Sequence, residues 1–229
     1  MTHRSRKRLP AMSRPSRRPA LDRIYESYLK HERTARFIGD VSNHYTTATI
    51  ARLLQTGDRM TRRAAALALG FLGSEEVNHA LGMALHDDDR GVRFLAENAL
   101  REAWLRVGTE DQRRRLRVVI RYCQSGRYHE AIDEATKLCE EAPKNAEVWN
   151  QRAIAWYQLK EYKKSAHDCM QALERNPYHF GAAVGLAHCC LELNDGFAAI
   201  DHLRRAVSLN PNMDGVQAQL EFLERSLES

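Results

Sequence analysis

The chain has 229 residues, 43% hydrophobic and 28% charged, proportions typical of a soluble globular protein, and its formal net charge is +5. No apolar run approaches the roughly 18 residues a membrane span needs, and no apolar stretch follows the basic start as a secretory signal would require. Cys123, Cys139, Cys169, Cys189 and Cys190 are odd in number and contain no C-x-x-C pair, which fits a reducing cytoplasm better than a disulfide framework.

Residues 1–19 hold Arg4, Arg6, Lys7, Arg8, Arg14, Arg17 and Arg18 with no acid, so the rest of the chain carries a net −2. Pro10, Pro15 and Pro19 and the scarcity of large apolar side chains predict a disordered tail. Its cations can neutralise phosphates, but it has no aromatic ring for base stacking. Weak, sequence-blind nucleic-acid contact is the most it predicts. Met12 is an alternative start that would remove four of the seven charges.

Residues 20–109 read as helical. Apolar periodicity begins at Leu21 and continues through Tyr28 and Phe37. Between residues 47 and 108 a period near 31 pairs Leu54 with Leu85, Asp58 with Asp89, Arg62 with Arg93, Ala65 with Ala96 and Leu69 with Leu100. Alanine every third or fourth residue lets helices approach closely, and aspartate at a helix start suits the free N–H groups there. The run resembles the short HEAT-type repeat, an Ala-rich helix pair with an acidic turn before a Val-Arg helix start.

Gly108 and Thr109 read as a helix stop and a new cap. Residues 110–211 then keep a stricter beat of 34. Pro143, Pro177 and Pro211 close three units, with Tyr128, Tyr162 and Gly196, and Ala131, Ser165 and Ala199, in step. This pattern resembles the tetratricopeptide repeat (TPR), a helical hairpin per unit. The middle unit is the best formed, with Trp149, Ala153, Trp156, Tyr162, Ser165, Ala172 and Pro177 at the family's large and small places. Arg115 and Arg152 stand where that family favours apolar residues, and the Arg152 head is expected to reach water. Residues 212–229, with Val216, Leu220, Leu223 and Leu227, read as a capping helix. The predicted fold is all-α: a curved α-solenoid of HEAT-like helix pairs continuing into three TPR-like hairpins and a cap.

The TPR resemblance implies that the first helix of each hairpin lines a concave groove. The implied contacts are Arg113, Leu116, Arg117, Ile120 and Cys123, then Glu147, Asn150, Gln151, Ile154 and Tyr157, then Val184, His188 and Leu191. Ile120, Ile154, Val184 and Leu191 are expected to form an apolar floor. Asn150, Gln151, Tyr157 and His188 would be polar or aromatic handles, Asn150 and Tyr157 facing solvent, with Arg113 and Arg117 at the N-terminal end. One family variant grips the terminal carboxylate of chaperone tails with Lys, Asn and Arg. Those places hold Leu116, Ile120, Gln151, Gly181 and Gly185, so that clamp is absent.

Arg113, Arg117 and Arg121 share a helix face, open either to an acidic partner or to pairing with Glu110 and Asp111. His86 with Asp87, Asp88 and Asp89 lacks calcium-loop register, because Gly91 falls one place early. His188, Cys189 and Cys190 point in different directions round a helix and make no metal site, and Cys190 is expected in the core. No nucleophile elbow, phosphate loop or paired-carboxylate arrangement occurs. No catalytic residue, metal or cofactor is implied. The expected function is a non-enzymatic, cytoplasmic adaptor that presents its groove to a partner peptide or helix with apolar anchors and an acidic end, away from membranes. A second reading is a nucleic-acid-associated adaptor using the tail and the Arg113–Arg121 face.

Overall fold

Asp58 and Asp89 each start a helix: their carboxylates accept the backbone N–H of Thr61 and Val92, both at 2.9 Å. These caps open α4 (Arg59–Leu72) and α6 (Arg90–Trp104), the long helices of the N-terminal half. Around them lie α1 (Ala20–His31), α2 (Thr34–His44), α3 (Thr47–Thr56) and, after a 3-10 turn, α5 (Asn78–Ala84). The computed structural model describes residues 19–228, and the expectations for the tail before Pro19 lie outside the described residues. Among the described residues every regular element is a helix.

Ala64, Ala65, Ala66 and Ala68 of α4 are fully buried, and α6 brings Ala96 and Ala99 against the same core. The close approach has a measurable limit at Gly70, where an added Cβ would sit 3.2 Å from Ala99. The acidic turn is used internally. Arg62 grips Asp87 at 2.7 Å and Asp88 at 2.6 Å, while Arg63 holds Asp89 at 2.6 Å. The three aspartates are thus engaged by the preceding long helix, and no cluster of metal-ligating residues occurs among the described residues.

The second half begins with a capping box. Thr109 accepts the Gln112 N–H, and the Gln112 side chain accepts the Thr109 N–H. Three hairpins follow: α7 (Glu110–Gln124) with α8 (Tyr128–Glu141), α9 (Ala146–Gln158) with α10 (Tyr162–Arg175), and α11 (Phe180–Glu192) with α12 (Gly196–Leu209). The array ends in α13 (Asp214–Glu228). Each hairpin turns through one residue with positive φ, at Gly126, Lys160 and Asn194, 34 residues apart. Ala131, Ser165 and Ala199 are buried, so their small side chains let paired helices close up.

Three local expectations are corrected. The Arg152 head is not free in water as expected: it forms a two-pronged pair with buried Asp168 at 2.7 and 2.9 Å, also donates to Thr136, and lies over the Trp149 ring. Cys190 is half-buried, and its neighbour Cys189 is the one in the core. Leu116 is also fully buried, so it packs within the first hairpin instead of facing the groove. Arg115 fits its unusual place by pairing with Glu134 and Glu141 across the hairpin.

The two halves also pack against one another. Helix α6 runs along the edge formed by the three loops that follow the closing prolines. Near its start Arg93 donates to Asn212 at 2.7 Å; near its end Arg101 lies over the Phe180 ring and Trp104 stacks on His179. Just beyond it, the Val107 carbonyl accepts from Asn145. Phe180 is fully buried and belongs to the same apolar core as α1–α6. Tyr178 approaches α5 so closely that a Cβ at Gly82 would lie 2.6 Å from its ring, and its hydroxyl meets His79 at 2.6 Å.

Candidate binding groove

The first helices of the hairpins, α7, α9 and α11, put one face each into a concave surface, and α6 walls its end. A cavity of about 510 Å³ opens there. From the hairpins it is lined by Ile120, Glu147, Asn150, Gln151, Ala153, Ile154, Tyr157, Gln158, Ser165, Cys169, His179, Gly181, Gly185 and His188. Helix α6 and its end contribute Arg101, Trp104 and Leu105. The volume lies within the roughly 300–1,000 Å³ of typical ligand pockets.

A buried polar network forms one side. Glu147 is 7% exposed and His179 1%, with 2.8 Å between carboxylate and Nε2. His179 Nδ1 accepts the Ala182 N–H at the start of α11, so the neutral ring carries its proton on Nε2 and donates to Glu147. Gln151 donates to the same carboxylate at 2.6 Å and Asn150 at 3.4 Å. Burial pushes Glu147 up, but the hydrogen bond from His179, then those from the two amides, outweigh burial and hold it below the usual carboxylate range. Trp104 covers the imidazole with ring centroids 4.1 Å apart, nearly parallel at 18°.

Of the sequence-predicted groove residues, Ile120, Glu147, Asn150, Gln151, Ile154, Tyr157 and His188 line this cavity. Asn150 is not the free handle expected, because it is buried against Glu147. Tyr157 is half-buried, donating to Glu192 and packed edge-on to Tyr162, and His188 bonds Gln219 of α13 at 3.1 Å. Val184 packs into the apolar cluster that includes Val216, and Leu191 lies outside the cavity lining. Cys123 is half-buried and contacts the Gln151 carbonyl through its thiol. Arg113 and Arg117 stand beyond the cavity, both paired with Glu110.

The residues missed from sequence are Arg101, Trp104 and Leu105, brought in from the other half of the chain, and His179, which occupies a loop place. Phe222 lies outside the cavity lining but continues the repeat register. Ile120, Ile154, His188 and Phe222 follow one another at steps of 34, and Phe222 on α13 is 63% exposed. At the cavity floor the Cys189 thiol donates to Ser165 Oγ at 3.2 Å, and the neighbouring thiols of Cys169 and Cys189 shift one another, Cys189 downward and Cys169 upward.

The family described as HEAT repeats matches residues 23–101, and the tetratricopeptide repeat matches residues 146–179. The N-terminal half thus matches HEAT repeats, and the C-terminal half matches the tetratricopeptide repeat over its middle hairpin. It is 30% identical over 105 residues to sperm-associated antigen 1 of Rattus norvegicus, covering 46% of this chain and 12% of that protein. It is 29% identical over 108 residues to RNA polymerase II-associated protein 3 of Xenopus tropicalis, covering 47% of this chain and 16% of that protein. The chain thus spans a small part of these relatives' length. Among solved structures it is similar to the first TPR of Spaghetti bound to an HSP90 peptide, with 25% identity and a TM-score of 0.51, covering 54% of this chain and 98% of that one.

Proposed function

We propose that the protein is a non-enzymatic adaptor whose concave groove holds a segment of another polypeptide. The observation that carries this reading is the cavity of about 510 Å³ on the face formed by α7, α9 and α11, closed at one end by Trp104 and Leu105. Ile154 supports it, since a large aliphatic side chain left 39% exposed on a concave floor offers apolar area to a partner. The similar TPR structure holding an HSP90 peptide supports peptide capture as the mode of action. Its ligand is not carried over, because Leu116, Ile120, Gln151, Gly181 and Gly185 stand at the places of the family's carboxylate clamp.

A photo-reactive amino acid placed at Tyr157 in the groove, and separately at exposed Lys163 on α10, tests this reading. Adducts with partner segments should form from Tyr157 and should be suppressed by Ile154→Glu. Equal capture from Lys163, or capture from Tyr157 indifferent to Ile154→Glu, would move the binding surface elsewhere.

A further inference from the structure

Helix α11 carries glycine at two successive turns facing the cavity, Gly181 and Gly185. A Cβ at Gly181 would meet only the His179 ring, at 3.5 Å, so a side chain there has room to enter the cavity. A Cβ at Gly185 would come within 3.1 Å of the Cys169 sulfur. The α11 backbone is therefore bare on this side, with Ala153, Ser165 and Cys169 forming the small-residue floor and Trp104 and Ile154 the large apolar walls. A small floor between large walls makes a socket for one bulky side chain.

The charges around the socket narrow what can enter it. Arg101 is paired with Glu97 at 2.9 Å, and His179 is bonded to Glu147. At the N-terminal end Arg113 and Arg117 are both paired with Glu110. An acidic chain end would thus compete with carboxylates already in place, whereas an uncharged segment leaves those pairs intact.

Building on the groove reading above, we propose that this socket receives a single large aromatic or aliphatic side chain from an uncharged stretch of a partner polypeptide, independently of any terminal carboxylate. Uncharged backbone on either side of the anchor lies against Gln151, Gln158 and His188.

The test uses the full chain against an array of random dodecapeptides, each printed with a free C-terminal carboxylate and as the amide. Bound peptides should be enriched in Trp, Phe, Leu or Ile at one position, depleted in Asp and Glu beside it, and equally retained as amides. Gly181→Leu should fill the socket and weaken the best binders at least tenfold, with unchanged helix content and melting temperature no lower than that of the wild type. Gly181→Ala, which adds one methyl group at ordinary contact distance, should weaken them by less than threefold. Peptides that bind through acidic residues and a free carboxylate, or that ignore Gly181→Leu in a folded protein, would overturn the socket while leaving the groove reading standing. If no peptide binds, both readings fail.

Discussion

Trp104 at the end of α6 stacks on His179 at the start of α11, ring centroids 4.1 Å apart, joining the two halves of the chain across 75 residues. The pair has two further anchors. The Trp104 indole donates to Asn78 at 2.9 Å, and His179 holds Glu147 of the groove. One aromatic contact therefore links the core of the N-terminal half to the groove face. Truncating a buried tryptophan typically costs about 3–5 kcal/mol. Trp104→Ala is expected to fall in that range by chemical denaturation and to weaken groove ligands through the loosened His179–Glu147 pair. A loss below about 1 kcal/mol would show that the stack does not hold the halves together.

Arg152 and Asp168 give a second test, at a place where this chain departs from the family pattern. Asp168 is 2% exposed, and the two-pronged guanidinium pair compensates the cost of burying it. Removing one partner leaves an uncompensated buried charge, an effect of about 3–5 kcal/mol. Arg152→Ala should therefore cost far more than the double variant Arg152→Leu with Asp168→Leu, which replaces the pair by apolar volume. If the single and double variants lose equal stability, the ion pair is not what makes Arg152 necessary.

The helices were legible in the sequence because amphipathic periodicity, Asp58, Asp89 and Thr109 at helix starts, and the proline beat are all local signals. Ile120, Ile154 and Tyr157 were legible for the same reason, since a 34-residue repeat puts the same offsets on the same face. Asn150 was misjudged because its exposure depends on Glu147, and Glu147 is buried only because His179 arrives from the next hairpin. Trp104 could not be found at all from periodicity. It belongs to the core of one repeat class and to the wall of the other, and no fixed spacing relates the two. Arg152 shows the same limit: the place was identified, but its partner one helix away decided where the head group went.

Acid should act through Asp89 and Glu147. The Arg63 hydrogen bond is the main influence on Asp89, and it holds that carboxyl at about 2 against the pull of partial burial. A carboxylate depressed in the folded state contributes fully above its unfolded value near 3.9, and the contribution is lost as pH falls toward about 2. Glu147, also depressed, adds to the loss in the same direction. Stability followed by circular dichroism should therefore be insensitive to these groups at neutral pH and fall below about pH 4. Asp89→Asn can still cap α6, yet it lacks the titrating group, so its acid limb should be shallower than that of the wild type. Superimposable acid limbs would refute the assignment.

Ile154 is the place to separate binding from folding. It is the middle apolar rung between Ile120 and His188, lines the cavity, and is exposed enough that a polar replacement need not be buried. Substitutions at sites of this kind usually change stability by no more than about 0.5 kcal/mol, whereas loss of a central apolar anchor costs a bound partner 2 kcal/mol or more on the usual order of magnitude. Ile154→Glu should therefore leave the thermal transition within a few degrees of wild type and reduce affinity for any groove ligand by at least about thirtyfold, a factor that corresponds to roughly 2 kcal/mol. The Asn150→Ala change should behave differently, lowering stability because it removes a donor to buried Glu147. Titration calorimetry and thermal melts on the two variants check both outcomes. Should Ile154→Glu melt normally and still bind with full affinity, the partner does not rest on the concave floor.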